Sequence, residues 1–336
     1  MNYQNPDHDP AHQKRLVLAV VLSTIVMGLW YYFYQMPLDQ AKQAARLKAK
    51  FEQQQQINSN LKKIDADGLA KALSAPSKIE SATAPKISRE EMLRTSPRIK
   101  ISNGRLHGSI RLVGARLDDV TLANYREELV KNSPEVALMS PSGAENTNFI
   151  DIGWVGANPS VIVPNSDTLW KIEQGTTLTA ETPIKLSWEN GQGQKFIIEY
   201  SIDKNFMLTV NQTVENKSGT EVKLLPFGLV SKSKRIEEEN FIQHTGPVGV
   251  MDGTLTEVSY GNLKENPEQV FDNSTGWIGI TDKYWFKSLI PQNGSTYKAT
   301  FRRTENNGLE RFQIDYLSNE ITAQANSRSE ERRVGK

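Results

Sequence analysis

Short apolar runs with a two-residue period, separated by turn signals, constrain the fold of this chain more than any other feature. From about residue 98 to residue 317, runs rich in Val, Ile, Thr, Phe and Tyr alternate with clusters of Gly, Asn, Asp, Ser and Pro. The runs include KFIIEYSI, FMLTVNQTVE, EVKLLPFGLV, TLTEVSY, YKATFRR and RFQIDYL. Because turn signals recur roughly every 8–12 residues, the pattern predicts a mostly β domain, a large antiparallel sandwich of two sheets.

The segment 206–214 shows this alternation most clearly. Successive side chains of a strand point to opposite faces, so one face of this segment carries Phe206, Leu208, Val210 and Gln212. The segment is therefore predicted to be a half-buried antiparallel strand with one face on a core. Because no long amphipathic helix competes with these runs, a parallel α/β fold is disfavoured.

An uncharged stretch, residues 16–34, follows Lys14 and Arg15. As a helix it would be about 28 Å long, close to the roughly 30 Å hydrocarbon core of a bilayer. It ends in WYYFY, and such rings favour the membrane–water boundary. We therefore predict a transmembrane helix that binds the lipid bilayer. The alternatives are a cleaved signal peptide, which the bulky aromatic residues disfavour, and a buried helix.

Residues 35–94 are predicted to form a flexible, partly helical linker. Their first part, DQAKQAARLKAKFEQQQQ, is rich in helix formers but poor in apolar residues, which favours a solvated helix over a coiled coil. Their second part, SAPSKIESATAPKISREE, lacks periodicity and is typical of a spacer. Charge alone leaves the orientation of the anchor open, since Lys and Arg flank residues 16–34 on both sides.

The composition excludes several classes of site. The 336 residues include no cysteine, which excludes disulfides, thiolate nucleophiles and cysteine-ligated metals. The formal net charge is +1, so the chain lacks the strong excess of positive charge that is typical of nucleic-acid-binding proteins. We therefore expect no nucleic-acid partner.

The polar motifs of the chain form no catalytic constellation. Two of the four histidines precede residue 16, and the others, His107 and His244, lack a metal-ligand spacing, so both are expected to be structural. The loop Asn190–Lys195 is glycine-rich, but its place between two strand-like runs predicts a hairpin turn. For Asp118 and Asp119 we expect a turn or a strand end. We assign no catalytic, cofactor-binding or metal-ligating residue and expect no cofactor.

The stretch STGWIGITDKYWFKSLIPQ is the most apolar and aromatic part of the chain after residue 34. Asp282, Lys283 and Lys287 interrupt it, and such charges disfavour entry into a bilayer. No acid, base or metal partner is evident for them in the sequence. The pattern therefore indicates two strands, GWIGIT and YWFKSLIP, separated near the Asp-Lys pair. We predict Trp277 and Trp285 to be largely buried, and Asp282 and Lys283 to be at least partly exposed.

Seven blocks follow one another in a specific order: KRLVLAVVLSTIVMGLWYYF, GARLDDVTLANYRE, LMSPSGA, LTVNQTVEN, PFGLVSK, HTGPVGVMDGTLTEVSY and TGWIGITDKYWFKSLIP. Each block alone is a weak signal, but their order and spacing are specific. Together, over roughly residues 13–326, they resemble the N-terminal part of bacterial members of the YidC/Oxa/Alb family of membrane protein insertases.

The resemblance implies an arrangement of the chain. Residues 1–15 would be cytoplasmic, residues 16–34 would cross the inner membrane, and residues 95–326 would form a periplasmic domain. That domain would be a β-supersandwich resembling galactose mutarotases.

The resemblance also implies a role without enzymatic chemistry. The family aids insertion, folding and assembly of inner-membrane proteins, with or without the Sec translocon. The implied partners are the lipid bilayer, the translocon components SecYEG and SecDF, and nascent membrane proteins. The family's insertase core of five later transmembrane helices has no counterpart in this sequence, so the expected role is that of anchor and interaction domain. The alternative is a membrane-anchored periplasmic protein that binds sugars or acts as a mutarotase.

Residues 327–336, SRSEERRVGK, depart from the resemblance. They are strongly charged and show no core-facing pattern. We expect a foreign tail and leave these residues out of the predicted fold. We also expect the chain to be a fragment of a longer protein.

Overall fold

The computed structural model describes residues 88–335, apart from residues 145, 235–243, 283 and 307–308. The predicted transmembrane helix and most of the predicted linker therefore lie outside the described residues. Within the described part, none of the helices has the length and apolar character that crossing a bilayer requires.

Two β-sheets form the body of the described chain. The first contains eleven strands: β1 (Arg98–Ser102), β2 (Leu106–Arg111), β3 (Arg116–Arg126), β4 (Glu135–Met139), β5 (Asn148–Gly156), β7 (Thr177–Leu178), β11 (Val222–Lys234), β14 (Glu268–Ser274), β17 (Tyr297–Asn306), β18 (Leu309–Ser318) and β19 (Ile321–Ala323). The second contains nine: β6 (Lys171–Gln174), β8 (Ile184–Glu189), β9 (Gln194–Ile202), β10 (Leu208–Asn216), β12 (Gly246–Met251), β13 (Thr254–Glu257), β15 (Gly276–Thr281), β16 (Phe286–Ile290) and β20 (Ser327–Gly335).

The order of the strands differs strongly from their order in the chain. Hydrogen bonds link the first sheet as β14-β17-β18-β11-β5-β3-β2-β1-β7, with β4 beside β3 and β19 beside β11. The second sheet runs β13-β12-β15-β16-β20-β10-β9-β8-β6. Among the described pairs, β1 and β7 are parallel and the others are antiparallel. The prediction of a mostly β, antiparallel domain is confirmed.

The hairpin of β8 and β9 forms where the sequence predicts a turn. Gly191 and Gly193 adopt φ values of +73° and +93°, which glycine tolerates because it has no Cβ. In the next strand, β10, Val210 and Gln212 are buried on one face, as the alternation predicts. The amide Nε2 of Gln212 donates to the carbonyl of Gly153 at 2.8 Å, which satisfies the donor side of this buried amide.

The described residues include two short helices beside the sheets. Helix α1 (Arg89–Leu93) begins after Ser88 with a capping box and lies at the end of the predicted linker. Helix α2 (Tyr260–Glu265) begins after Ser259, which also forms a capping box. The run TLTEVSY was expected to be one strand, and this expectation is wrong in its second half. The strand ends at Glu257 because the cap at Ser259 starts a helix.

Two clusters of buried side chains lie between the sheets. The larger cluster combines residues of the first sheet, such as Ile110 and Trp154, with residues of the second, such as Phe196 and Ile198. The rings of Trp154 and Phe196 meet edge to face with centroids 5.2 Å apart. The smaller cluster includes α2 and strands β15 to β18. Each cluster therefore combines buried side chains from both sheets.

The segment predicted to lie outside the fold is part of the second sheet. Strand β20 pairs with β10 over nine residue pairs, from Asn216 with Ser327 to Leu208 with Gly335. It also pairs with β16 at two positions. Leaving this segment out of the fold was wrong, because a sheet ladder needs main-chain N–H and C=O groups and not an apolar side-chain pattern. Its foreign origin stays a prediction.

Candidate functional site

A cavity of about 340 Å³ lies between the two sheets. Its walls are formed mainly by apolar side chains from both sheets, among them Ile101, Leu122, Ile202, Val210 and Leu289. Tyr316, a member of the smaller buried cluster, also lines it. The cavity therefore lies where the two buried clusters meet, and its volume falls within the range of roughly 300–1,000 Å³ that small-molecule sites occupy.

Aromatic side chains mark the open side of this cavity. Among the lining residues, Tyr125 is 50% exposed, Phe286 45% and Phe206 37%. The ring of Tyr125 meets Trp285 edge to face with centroids 5.4 Å apart. The guanidinium of Arg105 lies 5.6 Å from the ring centroid of Phe206. We call Tyr125, Phe206, Trp285 and Phe286 the aromatic rim.

Beside the cavity, the carboxylate of Asp282 forms ion pairs with two lysines that belong to different sheets. Asp282 follows β15 and forms a hydrogen-bonded ion pair with Lys232 of β11. The ammonium Nζ of Lys287, in β16, lies 3.7 Å from the second carboxylate oxygen of Asp282. The hydroxyl of Tyr260, in α2, lies 3.4 Å from Asp282. These four residues form the Asp282 cluster, whose two ammonium groups exceed its one carboxylate by one charge.

Lys287 is the most unusual member of the Asp282 cluster, because it is only 5% exposed and also lines the cavity. The pKa of Lys287 is lowered from 10.5 to about 8, mainly by burial and to a smaller degree by Lys232, while the carboxylate of Asp282 opposes the shift. At neutral pH the ammonium form therefore predominates. A lysine within an apolar strand is a signal that sequence analysis could have used, since lysine is almost never fully buried unless it is paired.

The aromatic stretch around the Asp282 cluster agrees with most of its predicted features. The predicted separation into two strands is confirmed by β15 and β16. The prediction that Trp277 and Trp285 are largely buried is confirmed only in part, because both are half-buried. The side chain of Asp282 is 25% exposed, as predicted. Lys283 lies outside the described residues.

A second, more polar cavity of about 490 Å³ adjoins the first and shares Trp285 and Phe286 with it. His244, Glu257 and Asp282 contribute its polar groups. The Nε2 atom of His244 lies 3.0 Å from the carbonyl oxygen of Pro247. Because a carbonyl only accepts, Nε2 must donate in this bond. This contact agrees with the structural role expected for His244.

His107, isolated in the sequence, has a carboxylate partner in the structure. Its Nδ1 atom lies 3.0 Å from Glu135 of β4, and β2 and β4 both pair with β3. Hydrogen bonds from Thr121 and then from His107 lower the pKa of Glu135. The side chains of His107 and Glu135 are 46% and 24% exposed, and neither lines the two cavities. The pair therefore lies at the surface of the described domain and outside both of these cavities.

Asp118 and Asp119 were expected in a turn or at a strand end; they lie at the third and fourth positions of β3, so the turn is excluded, and their burial was not predicted. They are buried residues of β3 and form ion pairs with Arg98 and Arg89, respectively. Burial raises the pKa of Asp118, and the nearby arginines oppose this effect. The sequence could not show this placement, because both arginines lie far away along the chain. Among the described residues, no group of three or more His, Asp or Glu side chains could hold a metal ion.

A protein-family model, the YidC periplasmic domain, matches residues 98–333. The membrane protein insertases YidC of Rickettsia bellii and Rickettsia massiliae are both 38% identical over 305 residues, which cover 90% of this chain and 51% of each relative. The insertase YidC of Rickettsia rickettsii is 37% identical over the same share. The chain thus spans about half the length of the curated relatives it matches.

Two solved structures are similar to this chain at 10% sequence identity. A galactose mutarotase related enzyme from Lactobacillus acidophilus covers 71% of this chain and 97% of its own, with a TM-score of 0.48. A galactose mutarotase-like protein from Lactobacillus casei covers 71% and 99%, with a TM-score of 0.45. At these scores the similarity carries no argument for sugar chemistry in this chain.

Proposed function

The chain belongs to the YidC family of membrane protein insertases, and we propose that it provides the membrane anchor and the periplasmic domain of such an insertase. The match over residues 98–333 is the observation that carries this proposal. In this role the domain would aid insertion, folding and assembly of inner-membrane proteins, with or without the Sec translocon. It would act by contact and spacing, without enzymatic chemistry, cofactor or nucleic acid.

The proposed arrangement follows the predicted order of segments. Residues 1–15 lie in the cytoplasm, residues 16–34 cross the inner membrane, and residues 35–94 form the linker. Residues 95–326 form the periplasmic domain, a β-supersandwich of the galactose-mutarotase type. Its partners are the bilayer, SecYEG, SecDF and nascent membrane proteins. Tyr284 and the aromatic rim offer exposed apolar surface for such contacts, and Tyr284 is 71% exposed.

The absence of cysteine allows a direct test of this topology. Single cysteines are introduced at Gln4 and at Leu129, whose side chain is fully exposed in the described domain. A membrane-impermeant maleimide is added to cells with a permeabilised outer membrane. We expect labelling at position 129, and labelling at position 4 only after the inner membrane is broken. The reverse pattern would contradict the proposal.

A second experiment tests contact with client proteins. A photoreactive amino acid at Tyr284 is expected to crosslink to ribosome-bound nascent inner-membrane proteins. The matched control is Ile172 of β6, which is 40% exposed and lies at the opposite end of the second sheet from β15. Equal crosslinking at both positions argues against a specific contact surface. Growth of insertase-depleted cells on this chain alone would contradict the role of anchor and interaction domain.

A further inference from the structure

We propose that the cavity between the sheets binds one alkyl chain that ends in a carboxylate, with the chain against the apolar walls and the carboxylate at the ammonium group of Lys287. The inference is independent of the proposed function, because it depends only on the cavity and on the Asp282 cluster.

The walls of the cavity select for an alkyl chain. The cavity is large enough for roughly ten water molecules, given the ~30 Å³ that each occupies in the liquid. Water needs two to four polar partners, and the walls are mostly apolar side chains such as Leu117, Val120 and Leu208. An extended peptide would bring main-chain N–H and C=O groups that these walls cannot satisfy. An alkyl chain has no such groups.

The buried charge selects for an anion at one end of that chain. Lys287 presents an ammonium group that is almost inaccessible to water, and its carboxylate partner Asp282 already holds Lys232. A buried cation without full compensation is unfavourable, so a ligand that brings one negative charge gains more here than a neutral or cationic ligand. The pKa of about 8 leaves Lys287 protonated at neutral pH. At the aromatic rim, Arg105 adds a second positive charge near the entrance.

A carboxylate fits this charge better than a phosphate. The ion-pair partner of Lys287 is Asp282, from the loop after β15, and Lys232 from β11 and the hydroxyl of Tyr260 from α2 contact the same carboxylate. Among the described residues, the two ammonium groups and one carboxylate of this cluster carry a net charge of +1. A carboxylate would neutralise this single positive charge. A phosphate monoester would bring up to two negative charges and three oxygen atoms that need hydrogen-bond donors.

The test uses photoreactive C12 probes with identical tails and different head groups: carboxylate, phosphate, alcohol and trimethylammonium. Each probe is added to the full chain in membrane vesicles, and labelled residues are identified by mass spectrometry. Site mapping separates labels in the cavity walls from labels in residues 16–34, which would report only the bilayer. We expect the carboxylate probe to label the walls at least ten-fold more than the trimethylammonium probe, with the alcohol and phosphate between them.

Variants connect this preference to Lys287. Lys287→Met is expected to abolish the preference of carboxylate over alcohol, Lys287→Arg to keep it, and Lys100→Met, at an exposed position of β1, to leave it unchanged. The head-group comparison in the unmodified protein does not depend on the folding of any variant. Equal wall labelling by carboxylate and trimethylammonium probes would overturn the proposal. So would labels confined to residues outside the cavity, or stronger wall labelling by a photoreactive apolar peptide.

Discussion

Replacing Lys287 with methionine is expected to change how the stability of the domain depends on pH. The substitution removes the buried amine and keeps most of the side-chain volume. The pKa of Lys287 is about 8 in the folded state, compared with 10.5 for an unperturbed lysine. Each pKa unit corresponds to about 1.36 kcal/mol, so the protonated amine destabilises the fold by about 3 kcal/mol at neutral pH.

The direction of the pH effect follows from the lowered pKa. Between pH 8 and 10.5 the unfolded chain holds a proton that the folded chain has released, so the free energy of unfolding of the unmodified protein rises with pH in this window. Lys287→Met lacks this contribution. We expect the variant to be more stable by up to about 3 kcal/mol at pH 7, and this advantage to fall to about 1 kcal/mol near pH 10.

Urea unfolding of the full chain in a mild detergent, followed by far-UV circular dichroism at pH 7, 8, 9 and 10, measures this difference. Ionisation of tyrosines and other lysines affects both proteins and cancels in the comparison. The matched control Lys100→Met replaces an exposed lysine and should show no comparable change over the same range. A stability difference for Lys287→Met that stays constant from pH 7 to 10, or a variant less stable at pH 7, would refute the reasoning.

Three further substitutions test other contacts, each by urea unfolding at pH 7. Tyr200→Phe removes the hydroxyl that donates to the carbonyl of Ala115 at 2.6 Å, and should destabilise by about 1–3 kcal/mol because that buried oxygen loses its partner. Gly276→Ala should cost about 2 kcal/mol or more, because φ is +103° and a Cβ would lie 2.1 Å from the carbonyl oxygen of Val250. Leu129→Ser, at a fully exposed position, should change stability by less than about 0.5 kcal/mol; a larger loss would reveal a contact at this site.

The features that sequence analysis predicted correctly depend on local information. The alternation in β10 and the glycines between β8 and β9 specify a strand face and a turn within about ten residues. The Asp-Lys pair after β15 separates two apolar strands in the same way. Such patterns determine which segments are strands, because each depends on neighbours in the chain.

The features that it missed depend on partners far away in the chain. Asp282 and Lys232 are 50 residues apart and meet only because β11 and the loop after β15 belong to facing sheets. Asp118 is buried because Arg98, 20 residues earlier, pairs with it. The position of a carboxylate in the sequence gives no sign of such a partner, so the sequence did not predict the ion pairs of Asp118 and Asp282.

Strand β20 joins two groups of strands into the second sheet. On one side lie β13, β12, β15 and β16, and on the other lie β10, β9, β8 and β6. The pairing between β20 and β10 includes nine residue pairs. The pairing between β20 and β16 includes only two, Leu289 with Gly335 and Ile290 with Val334. Under mechanical load the sheet should therefore separate first between β20 and β16, where two residue pairs connect the strands. The part of the sheet with β15 and β16 would then move away from β20 together with Asp282 and Lys287, which would load their contacts with Lys232 of the first sheet.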